Sequence, residues 1–140
     1  MAFSGVLLGL GGLIPFLATT AALWWFGDER YLQVGLLYGA CILSFLGGIQ
    51  WGFALPSKQG GAMHLYWSVI PALIGWGATL APPFAGPWIL AAGVFAAWLY
   101  ERHAALAARL PDWYRTLRHL LTLVVVICMI ANGIWVELRW

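Results

Sequence analysis

Seven polar side chains are the residues of this sequence best placed to do chemistry. They are Ser44, Gln50, His64, Glu101, Arg115, Arg118 and His119. Each lies within or beside a long apolar run, where an unpaired polar group is costly, so each is a candidate for function. A carboxylate attracts a guanidinium. We therefore expect Glu101 to pair with Arg115 or Arg118, either as a staple between two helices or as one charged wall of a polar pocket.

The histidines raise the question of a metal or haem site. Two histidines on different helices can ligate haem iron from both sides, and His64 and His119 are the candidate pair. The sequence contains no His-x-x-x-His or Glu-x-x-His spacing, and no combination typical of nucleophilic catalysis or phosphate binding. We expect no catalytic residue, no metal and no cofactor, and a haem-binding redox subunit stays as a second alternative.

The surroundings of these residues are unusually apolar. The chain has 140 residues, of which 63% are hydrophobic and 9% charged, and its mean hydropathy is +0.85. A soluble domain is roughly 25% charged. The apolar runs are continuous rather than alternating, so helices are the structure that satisfies their backbone groups in lipid. The net charge of +2 is too small to indicate nucleic-acid binding.

Apolar segments of about 20 residues, the length that spans a bilayer as a helix, recur along the chain. The sequence predicts an all-α integral membrane bundle of five transmembrane helices in a single domain, residues 1–140. The predicted helices cover about 3–26, 31–55, 63–81, 85–110 and 113–137. The fourth has neither glycine nor proline from Val94 to Leu110, so we expect it to continue beyond the membrane.

The positions of lysine and arginine predict the orientation of this bundle. One side carries Lys58, Arg102, Arg109, Arg115 and Arg118, and the other carries Arg30 and Arg139. Basic residues concentrate in cytoplasmic loops. We therefore expect a multi-pass protein of the bacterial inner (cytoplasmic) membrane, with its N-terminus in the cytoplasm and its C-terminus in the periplasm.

Small residues at helical spacing predict where the helices pack, because they let backbones approach closely. The stripes are Gly5, Gly9 and Gly12; Gly35 and Gly39; Ser44, Gly48 and Gly52; and Ser68, Ala72 and Gly75. The second helix carries two stripes on opposite faces, which favours a central position. Pro15 and Pro71 fall inside predicted helices and are expected to kink them.

Three segments together carry a resemblance to a known family. They are residues 12–16 (GLIPF), 38–52 (YGACILSFLGGIQWG) and 110–118 (LPDWYRTLR), and the middle one is the most specific. In order and spacing the sequence resembles the family called domain of unknown function 3429, which includes bacterial inner-membrane proteins and the eukaryotic transmembrane protein 69 group. The resemblance covers nearly the whole chain. It implies a small multi-helix membrane protein without an assigned activity.

Three hypotheses follow for function. The first is a non-enzymatic accessory or assembly subunit that binds a protein partner, a second copy of itself or membrane lipid through its helices. The alternative is a small-molecule or ion transporter or channel that works as an oligomer. It would use the kinks at Pro15 and Pro71 and the polar residues Ser44, Gln50 and Asn132. The third is the haem-binding subunit considered above.

Overall fold

A computed structural model describes the backbone of residues 2–54, 61–103 and 111–139, and the side chains of residues 3–49, 65–102 and 111–139. All of the secondary structure in these ranges is helical, so the predicted all-α class is confirmed. The helices are α1 (Ala2–Gly11), α2 (Ile14–Phe26), α3 (Glu29–Ala54), α4 (Gly61–Leu80), α5 (Gly86–His103) and α6 (Asp112–Arg139). The expected continuation of the fourth helix over 104–110 lies outside the described residues.

Three of the described stretches are long and apolar enough to cross a bilayer. They are Phe3–Phe26, Glu29–Ile49 and Asp112–Arg139, and Leu65–Leu80 is a shorter apolar helix. Large apolar side chains such as Phe3, Leu8 and Trp25 are exposed on the outside of the bundle. A surface of this kind suits lipid rather than water, and the chain is a membrane protein. Its number of crossings and its sidedness stay predictions.

The first predicted helix is divided in two. α1 ends at Gly11 and α2 begins at Ile14, so Pro15 lies in the first turn of a helix rather than inside one. Proline is tolerated there because its missing N–H would have had no helical partner. The Tyr38 hydroxyl donates a hydrogen bond of 2.8 Å to the Gly12 carbonyl at the break. The expected kink at Pro15 is thus a two-residue joint at Gly12 and Leu13.

The closest approach between two helices joins α3 and α4, which also form the most extensive contact among the described elements. A Cβ added at Gly75 would lie 2.9 Å from the Ala40 Cα. A Cβ added at Gly47 would meet the Ser68 carbonyl oxygen, so α3 lies directly on the α4 backbone. Pro71 is buried beside Gly47, and α4 continues through it.

One of the expected packing stripes needs correction. Ser44 and Gly48 lie on an exposed face of α3, and a Cβ added at Gly48 would meet nothing within 4 Å. Gly47 makes the contact with α4 instead. Each residue turns a helix by about 100°, so a shift of one position moves a side chain to a different face. Gly52 lies outside the residues whose side chains and burial the structure describes.

Other glycines let α3 and α1 approach the helices beside them. Gly39 is covered by Leu90 of α5, and Gly35 faces Thr19 of α2. On α1, Gly5 and Gly9 lie against α6, beneath Trp113 and Leu117. α1 and α6 therefore begin at the same end of the bundle, which also holds the connection from α5 to α6. We call this the α5–α6 end.

The opposite end, which we call the α2–α3 end, is closed by a short turn. Gly27 has a φ of 68°, and the Arg139 guanidinium lies over it. The Asp28 carboxylate caps α3, accepting hydrogen bonds from the backbone N–H of Arg30 (2.9 Å) and from its Nε (2.9 Å) and Nη2 (2.7 Å). The side-chain hydrogen bond from Arg30 holds the pKa of Asp28 below its usual range.

Candidate functional site

Glu101 and Arg118 form an ion pair inside the α5–α6 end. The Arg118 Nε donates a hydrogen bond of 2.8 Å to the Glu101 Oε2, and the two residues are 6% and 7% exposed. Arg115, the other partner considered for Glu101, instead pairs with Asp112 on the surface at 2.7 Å. Helices α5 and α6 therefore bring one carboxylate and one guanidinium together out of contact with solvent.

Helical spacing explains which arginine is buried. Tyr114, Arg118 and Thr122 follow one another at four-residue intervals, so they share one face of α6. That face turns toward the interior, and Arg118 and Thr122 are buried on it. Arg115 lies three residues before Arg118 and is about half exposed. Three residues correspond to a rotation of about 60° around the helix, and this difference decides which side chain meets Glu101.

Several polar atoms around this pair have no hydrogen-bond partner among the described residues. They are Glu101 Oε1, Tyr114 Oη, Arg118 Nη2 and Thr122 Oγ1, which we call the unpartnered atoms. The Tyr114 hydroxyl lies beside the Glu101 carboxylate without forming a hydrogen bond of good geometry. Buried polar groups are normally bonded, and leaving one unbonded costs roughly 1–3 kcal/mol. Four such atoms lie close together here, which makes this cluster the candidate functional site.

An apolar cleft of about 320 Å³ lies on one side of this cluster, between α1, α3 and α6. Apolar side chains such as Leu46 and Ile49 form most of its wall, and Gly5, Gly9 and Gly12 add no side chain to fill it. Its polar groups come from Tyr114, Arg118 and Thr122. Small-molecule sites have volumes of roughly 300–1,000 Å³ and combine apolar walls with a few polar groups. The cleft therefore suits an apolar chain with a polar end.

A polar pocket of about 280 Å³ lies on the other side of the cluster. It is lined by Trp98, Glu101, Arg102, Tyr114, Arg115, Arg118 and His119. Tyr114 and Arg118 line both the cleft and the polar pocket, so the two cavities adjoin at these side chains. The two cavities therefore share a wall, with an apolar cavity on one side of it and a charged cavity on the other.

His119 is held within the polar pocket by Trp98. The Trp98 indole Nε1–H donates a hydrogen bond of 2.7 Å to the His119 Nδ1, and the rings meet edge to face at 5.3 Å between centroids. Nδ1 must carry a lone pair to accept this bond, so the proton of the neutral imidazole is on Nε2. The Arg102 guanidinium lies 5.3 Å from the centre of the Trp98 ring.

The structure gathers some of the sequence candidates and separates others. Glu101, Arg115, Arg118 and His119 line the polar pocket. Ser44 lies away from it on the exposed face of α3, where its hydroxyl donates to the Ala40 carbonyl at 3.0 Å. The side chains of Gln50 and His64 lie outside the described side chains. Within the described residues, no group of three or more histidine, cysteine, aspartate or glutamate residues has the arrangement of a metal site.

Sequence reasoning missed four residues of the site: Tyr114, Thr122, Trp98 and Arg102. The first two had a signal, since a tyrosine, an arginine and a threonine recur at four-residue intervals on one face of the last predicted helix. Trp98 lies three residues before Glu101, and among ten tryptophans nothing distinguishes it. Its role depends on the imidazole that α6 places beside it.

Comparisons with known proteins show what the chain is similar to. A family model described as "Protein of unknown function (DUF3429)" matches residues 1–134. Transmembrane protein 69 of Xenopus tropicalis is 35% identical over 134 residues, which cover 89% of this chain and 51% of the relative. Transmembrane protein 69 of Mus musculus is 32% identical over 130 residues, which cover 88% and 52%. The chain thus spans about half the length of these relatives. No solved structure matches it.

Proposed function

Because the chain belongs to the DUF3429 family of membrane proteins, for which no activity is assigned, we propose a function from its site: the protein binds a membrane lipid. The lipid's apolar chain occupies the cleft and its head occupies the polar pocket. The observation that carries the proposal is the junction at Tyr114 and Arg118, which line both cavities. A molecule with one apolar and one polar part matches this division.

The position of the cleft supports access from the bilayer. Leu8 of α1 and Phe45 of α3 line the cleft, and both are largely exposed on the outer surface of the bundle. The cleft therefore reaches the surface at which lipid chains pack. A ligand can enter sideways from the membrane without first crossing water. Its apolar chain is in an apolar environment both in the cleft and in the bilayer. This geometry favours a lipid over a water-soluble ligand.

The unpartnered atoms support a ligand with a polar end. A purely apolar occupant would leave Arg118 Nη2 and Thr122 Oγ1 without hydrogen bonds, which costs free energy for each group. A lipid head that reaches the junction supplies oxygen atoms to both. The same atoms explain why this cleft, rather than any other apolar surface of the bundle, is the binding site.

The proposed role is binding rather than catalysis. Among its described residues, the site joins one carboxylate to one guanidinium and has no nucleophile activated by a base, so holding a ligand is the activity that these groups support. We propose that the chain serves as an accessory or assembly subunit that carries its lipid to a protein partner or to a second copy of itself. We also propose that the α5–α6 end faces the cytoplasm of a bacterial inner membrane, from its excess of basic residues.

The transporter alternative has less support. It requires a polar path, for which Ser44, Gln50 and Asn132 were the candidates. Ser44 is on the exposed face of α3, and Asn132 is buried on α6 beside Gly35. Neither lines the cleft or the polar pocket.

Native mass spectrometry of the protein extracted in mild detergent tests the proposal. We expect a retained lipid, and we expect Tyr114→Phe and Thr122→Val to lower the retained fraction several-fold, because the first loses a hydroxyl at the junction and the second a hydroxyl in the cleft. The free energy of unfolding of the lipid-free protein should stay the same or rise, by at most about 1–3 kcal/mol, because each variant removes an unpartnered hydroxyl.

Tyr66→Phe is the matched control, because Tyr66 is exposed on α4 and lines neither cavity. It should retain lipid as the unmodified protein does. Full retention by both junction variants, or a lipid-free protein from the unmodified chain, would contradict the proposal.

A further inference from the structure

We infer that the lipid bound here has an anionic oxygen head, a carboxylate or a phosphate, and that Arg118 Nη2 and His119 Nε2 donate hydrogen bonds to it. This inference rests on the proposed function and names the chemistry of its ligand. It also assigns a recognition role to His119, which would otherwise be one exposed histidine among many polar groups at a membrane surface.

The charge of the polar pocket favours an anion. Three guanidinium groups line it, those of Arg102, Arg115 and Arg118, against the single carboxylate of Glu101. Asp112, which pairs with Arg115, raises the count to two carboxylates and still leaves positive charge in excess. An excess of positive charge in a cleft raises the local concentration of anions. The pocket therefore favours a negative head over a cationic one.

Arg118 retains a free donor at the junction. Its Nε is bound to Glu101. Its Nη2 is one of the unpartnered atoms, although the residue is only 6% exposed. Guanidinium nitrogens match the oxygens of carboxylate and phosphate, and charge-assisted hydrogen bonds are about twice as strong as neutral ones. An anionic oxygen at the junction satisfies this donor better than a hydroxyl or an ester carbonyl does.

Trp98 fixes which nitrogen of His119 donates. The hydrogen bond from the indole occupies Nδ1 as an acceptor, so Nε2–H is the donor that His119 offers to a ligand in the pocket. The head thus meets a guanidinium donor from one residue and an imidazole donor from another. Trp98 acts as a positioning residue, because it selects the tautomer without needing to touch the ligand.

The same pocket disfavours a cationic head. An aromatic face attracts ammonium and choline groups, and Trp98 is the tryptophan of this pocket. The Arg102 guanidinium already lies over the Trp98 ring, with 5.3 Å from its carbon to the ring centre. A second cation there would be repelled.

Binding of three matched amphiphiles to the full chain in detergent tests the inference. The probes are dodecyl phosphate, dodecanol and dodecylamine, with inorganic phosphate as the arm for a free anion. We expect dodecyl phosphate to bind at least about ten-fold more tightly than dodecanol, the difference that one charge-assisted hydrogen bond produces. Dodecylamine and inorganic phosphate should bind more weakly than dodecyl phosphate.

The variants separate head recognition from chain binding. His119→Phe should weaken the binding of dodecyl phosphate about ten-fold and leave the binding of dodecanol unchanged, because phenylalanine keeps an aromatic ring but has no N–H donor. Trp98→Phe should weaken dodecyl phosphate by a smaller factor, because the imidazole stays but its tautomer is no longer fixed. Trp76→Phe, on an exposed tryptophan of α4, should change nothing.

Each outcome has one meaning. Equal affinity for dodecyl phosphate and dodecanol would overturn the inference of an anionic head and leave the proposed lipid site intact. Inorganic phosphate that binds as tightly as dodecyl phosphate overturns the lipid head as the source of the anion. Failure of all three amphiphiles to bind overturns the proposed function itself.

Discussion

The two ends of the bundle each contain an acidic residue bound to an arginine, and the two pairs differ in every other respect. At the α2–α3 end, Asp28 and Arg30 are on the surface, and both carboxylate oxygens accept hydrogen bonds. At the α5–α6 end, Glu101 and Arg118 are buried, and each has one polar atom among the unpartnered atoms. In the exposed pair both carboxylate oxygens have hydrogen-bond partners, whereas in the buried pair one carboxylate oxygen and one guanidinium nitrogen have none among the described residues.

This difference separates a structural role from a functional one. An exposed ion pair contributes little to stability, and Asp28 serves chiefly to begin α3. A buried ion pair with unused donors and acceptors is costly, and replacing such a pair with apolar residues is often neutral or stabilising. Under the proposed function, the ligand uses the remaining atoms.

The largest effect that would test this comparison is the loss of one partner of the buried pair. Arg118→Leu leaves the Glu101 carboxylate buried without its cation, which should cost about 3–5 kcal/mol of the free energy of unfolding. Chemical denaturation in detergent, followed by tryptophan fluorescence, measures the change. The double variant Glu101→Leu with Arg118→Leu should recover most of the loss, because no charge is left unpaired.

A double variant as unstable as Arg118→Leu would show that the pair is a structural staple. The comparison between the two ends would then lose its basis. The double variant should also bind dodecyl phosphate poorly even when it is folded, which separates the role of Arg118 in binding from its effect on stability.

A middle-sized effect is expected at the α2–α3 end. Gly27→Ala forces a side chain onto a φ of 68° and into the Arg139 guanidinium, so it should cost about 1–2 kcal/mol. Gly11→Ala is the matched control, since a Cβ there meets nothing within 4 Å. Thermal unfolding of both variants measures the difference, and lipid retention should be unchanged in both. Reduced retention in Gly27→Ala would show that the two ends are not independent.

The smallest effect concerns the exposed pair and depends on pH. The pKa of Asp28 is lowered by its hydrogen bond to Arg30, so its charge stabilises the folded state above the ordinary aspartate value of 3.8. That contribution is lost as the pH falls through the lowered pKa. Asp28→Asn keeps a capping side chain and removes the charge. Its melting temperature should be slightly lower than that of the unmodified protein at neutral pH and equal to it in strong acid.

An effect of Asp28→Asn as large as that of Arg118→Leu would reverse the comparison between the ends. Glu29→Gln is the control for a change of charge at the same helix start, because Glu29 begins α3 next to Asp28. It should leave the hydrogen bonds between Asp28 and Arg30 intact.

Sequence was sufficient for the helices and for one half of the site. Continuous apolar runs predicted the helical class, and the hairpin of the last two predicted helices predicted that Glu101 would pair with Arg115 or Arg118. The choice of Arg118 over Arg115 depended on the rotation of α6 about its axis, which its neighbours set. At the break between α1 and α2, the Gly12 carbonyl accepts a hydrogen bond from the Tyr38 hydroxyl of another helix, a contact that the local sequence does not encode. The cleft is lined by residues of five helices, and no local pattern encodes such a volume.

The joint at Gly12 and Leu13 has a mechanical consequence. A continuous helix bends as a stiff rod, whereas α1 and α2 are two short rods joined at two residues. α1 forms one wall of the cleft through its glycines, and α2 is anchored in the core by Phe16 and Leu23. We expect the joint to let α1 move relative to α2 more readily than one continuous helix would, while the core stays packed. Under the proposed function, such movement affects the rates at which a ligand enters and leaves the cleft, and the hydrogen bond from Tyr38 to the Gly12 carbonyl opposes it.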